Sequence, residues 1–167
     1  MTADGRTGNL LGALALTLAD HIGTGSDAAA LITLRNYAEG EPLDLLRRAL
    51  ALSHPGVVRL ADRLQRRGLV ERRRSDRDGR AVALRLTSAG RRAADEALAA
   101  RAGAIDTALE ALAPEERRAL ESMLERMLAA QTTDPTASLV ICRLCDPGIC
   151  GHPDGCPVTQ AARQAPA

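Results

Sequence analysis

The sequence predicts a mainly helical protein of the α+β class, and three features of the chain support this. Most segments carry apolar residues at the i, i+3, i+4 spacing of amphipathic helices. A single stretch, between Leu69 and Thr87, alternates apolar and polar residues like two short strands around a polar turn. With 167 residues, the chain can bury one core and carry a small appendage.

The first three helices are predicted from their apolar periodicity and from the capping and glycine residues at their ends. The expected helices run from Asn9 to about Ile22, from Ala28 to Ala38, and from Leu43 to Leu50.

The fourth helix has the clearest boundaries in the chain. Ser53 is a favourable N-cap, Pro55 suits the first turn, and Gly68 ends the helix. One face carries an apolar stripe formed by Val57, Leu60, Ala61 and Leu64. The opposite face is polar and basic, which is typical of a solvated surface helix and equally of a helix that enters a DNA major groove.

The segment after the fourth helix favours the DNA-binding interpretation. Two alternating runs, 69–74 and 81–87, flank the polar turn 75–80 and predict a basic β-hairpin. Helix, tight turn, helix and basic hairpin together form a winged helix-turn-helix.

Two long helices should follow the hairpin. The first is capped by Thr87 or Ser88 and runs to about Leu112, and the second opens at Ala113. The second carries an apolar stripe of Leu120, Met123, Leu124, Met127 and Leu128. Such a stripe requires a partner surface.

The residues of this region resemble the MarR (multiple antibiotic resistance regulator) family. The resemblance rests on Ser53 to Leu60, Asp62-Arg63-Leu64, Arg67 to Arg72, Asp78 to Ala81 and Leu86 to Gly90, and it extends over about 10–130. It implies a repressor whose first and last domain helices interlock in a homodimer that reads an inverted repeat in double-stranded DNA.

This resemblance, together with the composition of the residues beyond 130, divides the chain into five parts. They are an N-terminal dimerisation helix (1–26), a winged helix-turn-helix lobe (27–87), C-terminal dimerisation helices (88–130), a linker (131–140) and a cysteine-rich metal-binding tail (141–167).

The charge is concentrated in one third of the chain. Residues 47–92 contain fourteen arginines and four acidic residues, a balance of +10, although the whole chain has a net charge of +1. This segregation predicts one localised surface for phosphate groups.

The family pattern also nominates the DNA contacts. Arg59 is the expected bidentate partner of a guanine, Arg63 and Arg66 are expected to bind phosphates, and Arg80 is expected at the wing tip, oriented by Asp78. Solvated hairpin charges are the alternative for the wing. The full predicted DNA-binding set is Ser53, His54, Pro55, Gly56, Val58, Arg59, Arg63, Arg66, Arg74, Arg77, Asp78 and Arg80.

All four cysteines lie within fifteen residues near the C-terminus, as Cys142, Cys145, Cys150 and Cys156. Four thiolates at such spacings can form a closed tetrahedral zinc site with Zn–S distances of ~2.3 Å, and His152 could replace Cys150. An iron–sulfur cluster uses the same ligands. A redox-active Cys142/Cys145 dithiol is a third interpretation.

Other functions find little support in the sequence. The three histidines lie on different elements and no catalytic motif is evident, so we expect no enzyme. The apolar run 10–19 is too short for a membrane span, so we expect a cytoplasmic protein. Many MarR proteins bind small aromatic effectors, but this chain has one tyrosine and no Phe or Trp, which favours sensing through the cysteines.

Overall fold

The computed structural model describes residues 5–22 and 25–165, and the chain there is mainly helical with one two-stranded sheet. The elements are α1 (Gly5–Ile22), α2 (Ser26–Thr33), a π-helix (Leu34–Ala38), α3 (Leu43–Ala49), α4 (His54–Arg66), β1 (Val70–Arg74), β2 (Val82–Leu86), α5 (Ser88–Leu109), α6 (Pro114–Gln131), α7 (Pro135–Cys142) and α8 (Pro157–Gln164).

The core of the molecule lies in a winged helix-turn-helix lobe formed by α2, the π-helix, α3, α4 and the hairpin. Strands β1 and β2 pair antiparallel, from Val70 opposite Leu86 to Arg74 opposite Val82. The largest fully buried apolar side chains of this lobe are Ile32, Leu34, Leu46, Leu60, Leu64, Leu84, Val57 and Val70. Aliphatic packing therefore holds the apolar face of α4 against the lobe, and this stripe is buried as predicted.

Local capping and glycine residues fix both ends of α4 and the start of α5. The Ser53 hydroxyl accepts a hydrogen bond from the backbone amide of Gly56 at 3.2 Å and starts α4. Gly68, with φ of +68°, ends it in a left-handed conformation that favours glycine. At the start of α5, a Cβ on Gly90 would lie 2.0 Å from the carbonyl oxygen of Leu69, so the helix can approach the hairpin only with glycine there.

Helices α1 and α6 have no buried residue. Helix α1 packs against α5 and leaves four of its leucines exposed, and α6 exposes the stripe predicted from the sequence except for Leu120, which is half-buried. The exposed large apolar residues of these two helices are Leu10, Leu11, Leu14, Leu16, Met123, Leu124, Met127 and Leu128. No helix in 5–22 or 25–165 is long and apolar enough to cross a membrane.

Three predicted boundaries require correction. Helix α1 already begins at Gly5, one turn before Asn9. The helix predicted over 28–38 instead begins at Ser26 and becomes a π-helix at Leu34. A π-helix adds one residue to the turn and changes which side chains face a neighbouring segment.

The predicted linker 131–140 is largely helical. The Asp134 side chain accepts hydrogen bonds from the amides of Thr136 and Ala137, at 2.7 and 2.8 Å, and Pro135 occupies the first turn of α7. A carboxylate cap followed by proline is a helix-start signal, so the prediction gave too much weight to the polar composition. Only 132–134 connect α6 to α7.

Candidate DNA-binding surface and cysteine cluster

The N-terminal turn of α4 is open to solvent, as a reading helix requires. Ser53, His54, Pro55 and Arg59 are exposed, and Gly56 and Val58 are half-buried. The stripe on the opposite face is buried in the lobe, so the polar face of α4 can point only outward. This arrangement presents backbone amides, small side chains and one arginine to an approaching duplex.

The arginines of the lobe fall into two groups. One group forms ion pairs within the lobe, for example Arg72 with Asp62 and Arg85 with Asp76, at 2.6 and 2.5 Å. The other group makes no ion pair with any residue that the structure describes, and it consists of Arg59, Arg66, Arg74 and Arg80 among the predicted DNA contacts. No described carboxylate neutralises these four guanidinium groups, so they can bind an external anion.

Arg63 connects α4 to α2 within the lobe. Its guanidinium donates to Asp27 at 2.6 Å and to the Ser26 hydroxyl at 3.1 Å, and Arg67 also donates to Asp27 at 2.6 Å. The hydrogen bond from Arg63 lowers the pKa of the Asp27 carboxyl below its ordinary value, against the opposing effect of burial. A phosphate bound by Arg63 would have to share this guanidinium with Asp27.

The turn of the wing is ordered by its own side chains. Asp78 accepts a hydrogen bond from the backbone amide of Arg80 at 3.0 Å, so it orients that residue through the backbone. The buried Ser75 hydroxyl accepts from the amides of Arg77 and Asp78, at 3.2 and 3.3 Å. Sequence reasoning missed Ser75, although a serine at the start of a turn is a recognised signal.

The four cysteines line one cavity of about 240 Å³, together with Asn36, Tyr37 and His152. Cys156 is buried and the other three are half-buried. Among the described residues, no three His, Cys, Asp or Glu side chains are already assembled as a metal-binding group. The donor chemistry fits a soft metal ion, and binding one would require the thiols to converge within this cavity.

The thiols differ in their acidity because they interact with one another and with nearby arginines. The hydrogen bond with Cys142 and the charges of Arg101 and Arg143 outweigh burial and lower the pKa of Cys145 to about 6. The same hydrogen bond and burial raise the pKa of Cys142. Burial raises the pKa of Cys150. Burial is outweighed at Cys156 by hydrogen bonds from Thr159 and Val158, which lower the pKa of this thiol. The cluster thus contains two thiols with a lowered pKa, Cys145 and Cys156, beside two with a raised pKa.

The segment carrying Cys142 and Cys145 is bound to the winged lobe by three side chains. Thr33 donates to the carbonyl of Arg143 at 3.2 Å, Asn36 donates to the carbonyl of Cys145 at 2.7 Å, and Tyr37 donates to the carbonyl of Leu139 at 3.3 Å. Sequence analysis assigned none of these three contacts. Two polar residues in an apolar helix were the available signal.

Comparison with known proteins supports the regulator assignment. The sequence model of the MarR family matches 44–81. The transcriptional repressor MprA of Escherichia coli (strain K12) is 34% identical over 102 residues, which cover 60% of this chain and 57% of MprA. The chain thus spans less than two thirds of that curated relative.

Solved structures extend the match over most of the molecule. A probable transcriptional regulator from Pseudomonas aeruginosa is 30% identical, with a TM-score of 0.51 and coverage of 67% of this chain and 86% of that one. The PcaV transcriptional regulator from Streptomyces coelicolor is 25% identical, with a TM-score of 0.58 and coverage of 77% and 97%.

The same assignment follows from the exposed reading helix, from the arginines of the wing and from these relatives. They identify a transcriptional regulator and not an enzyme. The chain belongs to the MarR family of winged helix-turn-helix transcriptional regulators.

Proposed function

We propose that this chain is a repressor that binds an inverted-repeat operator in double-stranded DNA as a homodimer. The observation that carries the proposal is that four arginines of one lobe make no ion pair with any described residue, namely Arg59 and Arg66 on α4 and Arg74 and Arg80 on the hairpin. An arginine on the recognition helix can bind guanine in the major groove, and an arginine on the wing can bind phosphates or the minor groove. The relative MprA is named a transcriptional repressor.

Homodimerisation is proposed from the exposed apolar faces of α1 and α6. Leu10 and Leu14, which share one face of α1, are 56% and 48% exposed, and Met123 of α6 is 50% exposed. Exposed patches of this kind usually mark an interaction surface. A second copy would cover them and present two recognition helices about one DNA turn apart.

Binding of the full chain to duplexes from the region upstream of its own gene tests this proposal. We expect a footprint with two half-sites about 10 base pairs apart, centre to centre, and much weaker binding to a single half-site. Sedimentation should give a dimer, and Met127→Glu should yield monomers that bind both probes weakly. A monomeric wild-type protein, or equal affinity for whole and half-sites, would contradict the homodimer.

The cysteine cluster is proposed to hold one zinc ion through Cys142, Cys145, Cys150 and Cys156, and to sense metal or redox state. Support comes from the cavity that these thiols share and from its position against the lobe. Zinc would be a structural ion that ties the tail to the helical body. Metal analysis of anaerobically purified protein should give one zinc per chain and a colourless solution.

Other results would replace zinc in this proposal. Iron, sulfide and visible absorption would identify an iron–sulfur cluster. Absence of both metals together with a Cys142–Cys145 disulfide would identify a redox dithiol. Release from DNA by a small phenolic compound, with zinc unaffected by peroxide, would make this a small-molecule-responsive regulator whose zinc tail is purely structural.

A further inference from the structure

The segment 26–38, which comprises α2 and the π-helix, contacts the recognition helix at one end. Asp27 accepts hydrogen bonds from Arg63 of α4 and from Arg67, the residue that follows this helix. The Asp27 side chain is only 25% exposed, so this carboxylate is better shielded from water than the arginines that it binds. A movement of α2 would therefore be transmitted through these hydrogen bonds to the C-terminal half of α4.

The other end of the same segment contacts the cysteine loop. The Thr33 hydroxyl, on a side chain that is fully buried, donates to the carbonyl of Arg143, which lies between Cys142 and Cys145. Asn36 donates to the carbonyl of Cys145 itself. Both acceptors belong to the backbone that positions two of the four thiols. A conformational change that moves these two carbonyl groups would therefore break the hydrogen bonds from Thr33 and Asn36.

The rest of the tail lies against α3 of the lobe and against the long helix α6. Helix α7 packs against α3 and α8, and α8 packs against α6. An apolar groove continues this contact and is lined by Leu120, Leu124 and Leu128 of α6 and by Ile149 and Pro157 of the tail. The tail therefore connects the DNA-binding lobe to a helix outside it, and its conformation can restrict how the lobe is oriented.

From these contacts, we propose that Thr33 and Asn36 couple zinc occupancy of the cysteine cluster to DNA binding. The inference rests on the proposed function and adds the route by which the cluster acts. Zinc fixes the Cys142–Cys145 loop, and the fixed loop accepts the hydrogen bonds of Thr33 and Asn36. The lobe is then held in one orientation, which reduces the ordering that binding to DNA requires.

The test compares operator affinity of the full chain with and without zinc, in a reducing buffer, for the wild type, Asn36→Ala and Thr33→Val. We expect zinc removal by a chelator to weaken wild-type binding at least about fivefold, the usual lower range of allosteric coupling. In Asn36→Ala and Thr33→Val, the ratio of operator affinity with zinc to operator affinity without zinc should fall towards one. The matched control is Gln131→Ala, which removes an exposed amide at the end of α6 and should keep the wild-type ratio.

A second readout separates this inference from the function on which it rests. Cobalt(II) added in place of zinc should give the thiolate charge-transfer absorption in the wild type and in both variants, because neither variant removes a ligand. Unchanged or stronger wild-type DNA binding after zinc removal would overturn the coupling. If zinc removal weakened operator binding of the Asn36 and Thr33 variants as much as that of the wild type, the coupling would also be overturned, because these residues would not transmit the effect. A wild type that binds no duplex would instead overturn the regulator proposal, and one that binds no metal would overturn the zinc site.

Discussion

The winged lobe and the cysteine tail are stabilised in different ways. The lobe has a continuous aliphatic core, in which Leu60, Leu64 and Leu84 are at most 1% exposed. The tail buries Cys156 and Val158 but no residue of α7, and it is attached to the lobe through hydrogen bonds to backbone carbonyls. Burial of apolar side chains stabilises the lobe, whereas the proposed zinc site would make the conformation of the tail depend on the state of its thiols.

The largest expected effect is in the lobe core. Leu64→Ala should lower the free energy of unfolding by about 3 kcal/mol, because it removes a fully buried side chain and leaves a cavity. Ile149→Ala in the tail, where the side chain is 82% exposed, should change it by less than about 0.5 kcal/mol. Urea denaturation measures both values. Equal losses would contradict the contrast between the two regions.

Tyr37 reports on the contact between the two regions, because it is the single tyrosine of the chain. Burial raises its pKa to about 12 from an ordinary value of 10.0. Because the neutral phenol is favoured in the folded state, its contribution to stability is complete below about pH 10 and is lost as the pH rises towards 12. Tyrosinate absorbance should titrate near 12 in folded protein and near 10 in urea. A folded-state midpoint near 10 would show that the tail leaves Tyr37 exposed.

Within the lobe, the paired and unpaired arginines should behave differently on DNA. Arg80→Ala should weaken operator binding about tenfold at moderate salt, because this side chain makes no ion pair with a described residue and lies at the wing tip. Arg73→Ala, which removes an arginine paired with Glu71 at 2.6 Å, should have a smaller effect. Both variants should keep the wild-type unfolding midpoint. Unchanged affinity for Arg80→Ala would exclude Arg80 from the site.

The smallest effect is expected from the ion pairs between α2 and α4. Asp27→Asn should lower the free energy of unfolding at neutral pH by about 1 kcal/mol, since both arginines are partly exposed and screened by water. The pKa of Asp27 is lowered, so its contribution is present above about pH 4 and is lost as the pH falls through the folded-state value.

Denaturation of Asp27→Asn and wild type should therefore converge in acid. Asp95→Asn, which breaks a single exposed pair with Arg35, is the matched control and should cost less. A difference between wild type and Asp27→Asn that persists below about pH 2 would show that the ion pairs are not its cause.

The sequence was sufficient for the lobe because its signals are local and redundant. Ser53, Gly68 and Thr87 mark element ends by capping or backbone conformation, and the apolar periodicity of α4 defines its buried face. Helix α7 was missed because the polar composition of 131–137 outweighed the Asp134–Pro135 cap.

Contacts between distant segments could not be predicted in this way. Thr33 and Arg143 are 110 residues apart, and no periodicity in either segment indicates that they meet. The same limit applied to Arg63, whose partner Asp27 lies on another helix, so its positive charge alone suggested a phosphate contact. The DNA-binding surface was predictable to the extent that it lies on one continuous stretch of chain.

The central claim is that the unpaired arginines of the lobe bind DNA phosphates and bases, and the salt dependence of operator affinity tests it most directly. Each phosphate neutralised contributes about −0.9 to the slope of log affinity against log salt concentration. Two lobes with their unpaired arginines should give a slope steeper than about −4, and Arg80→Ala should make it less steep. An affinity that does not change with salt would contradict the claim.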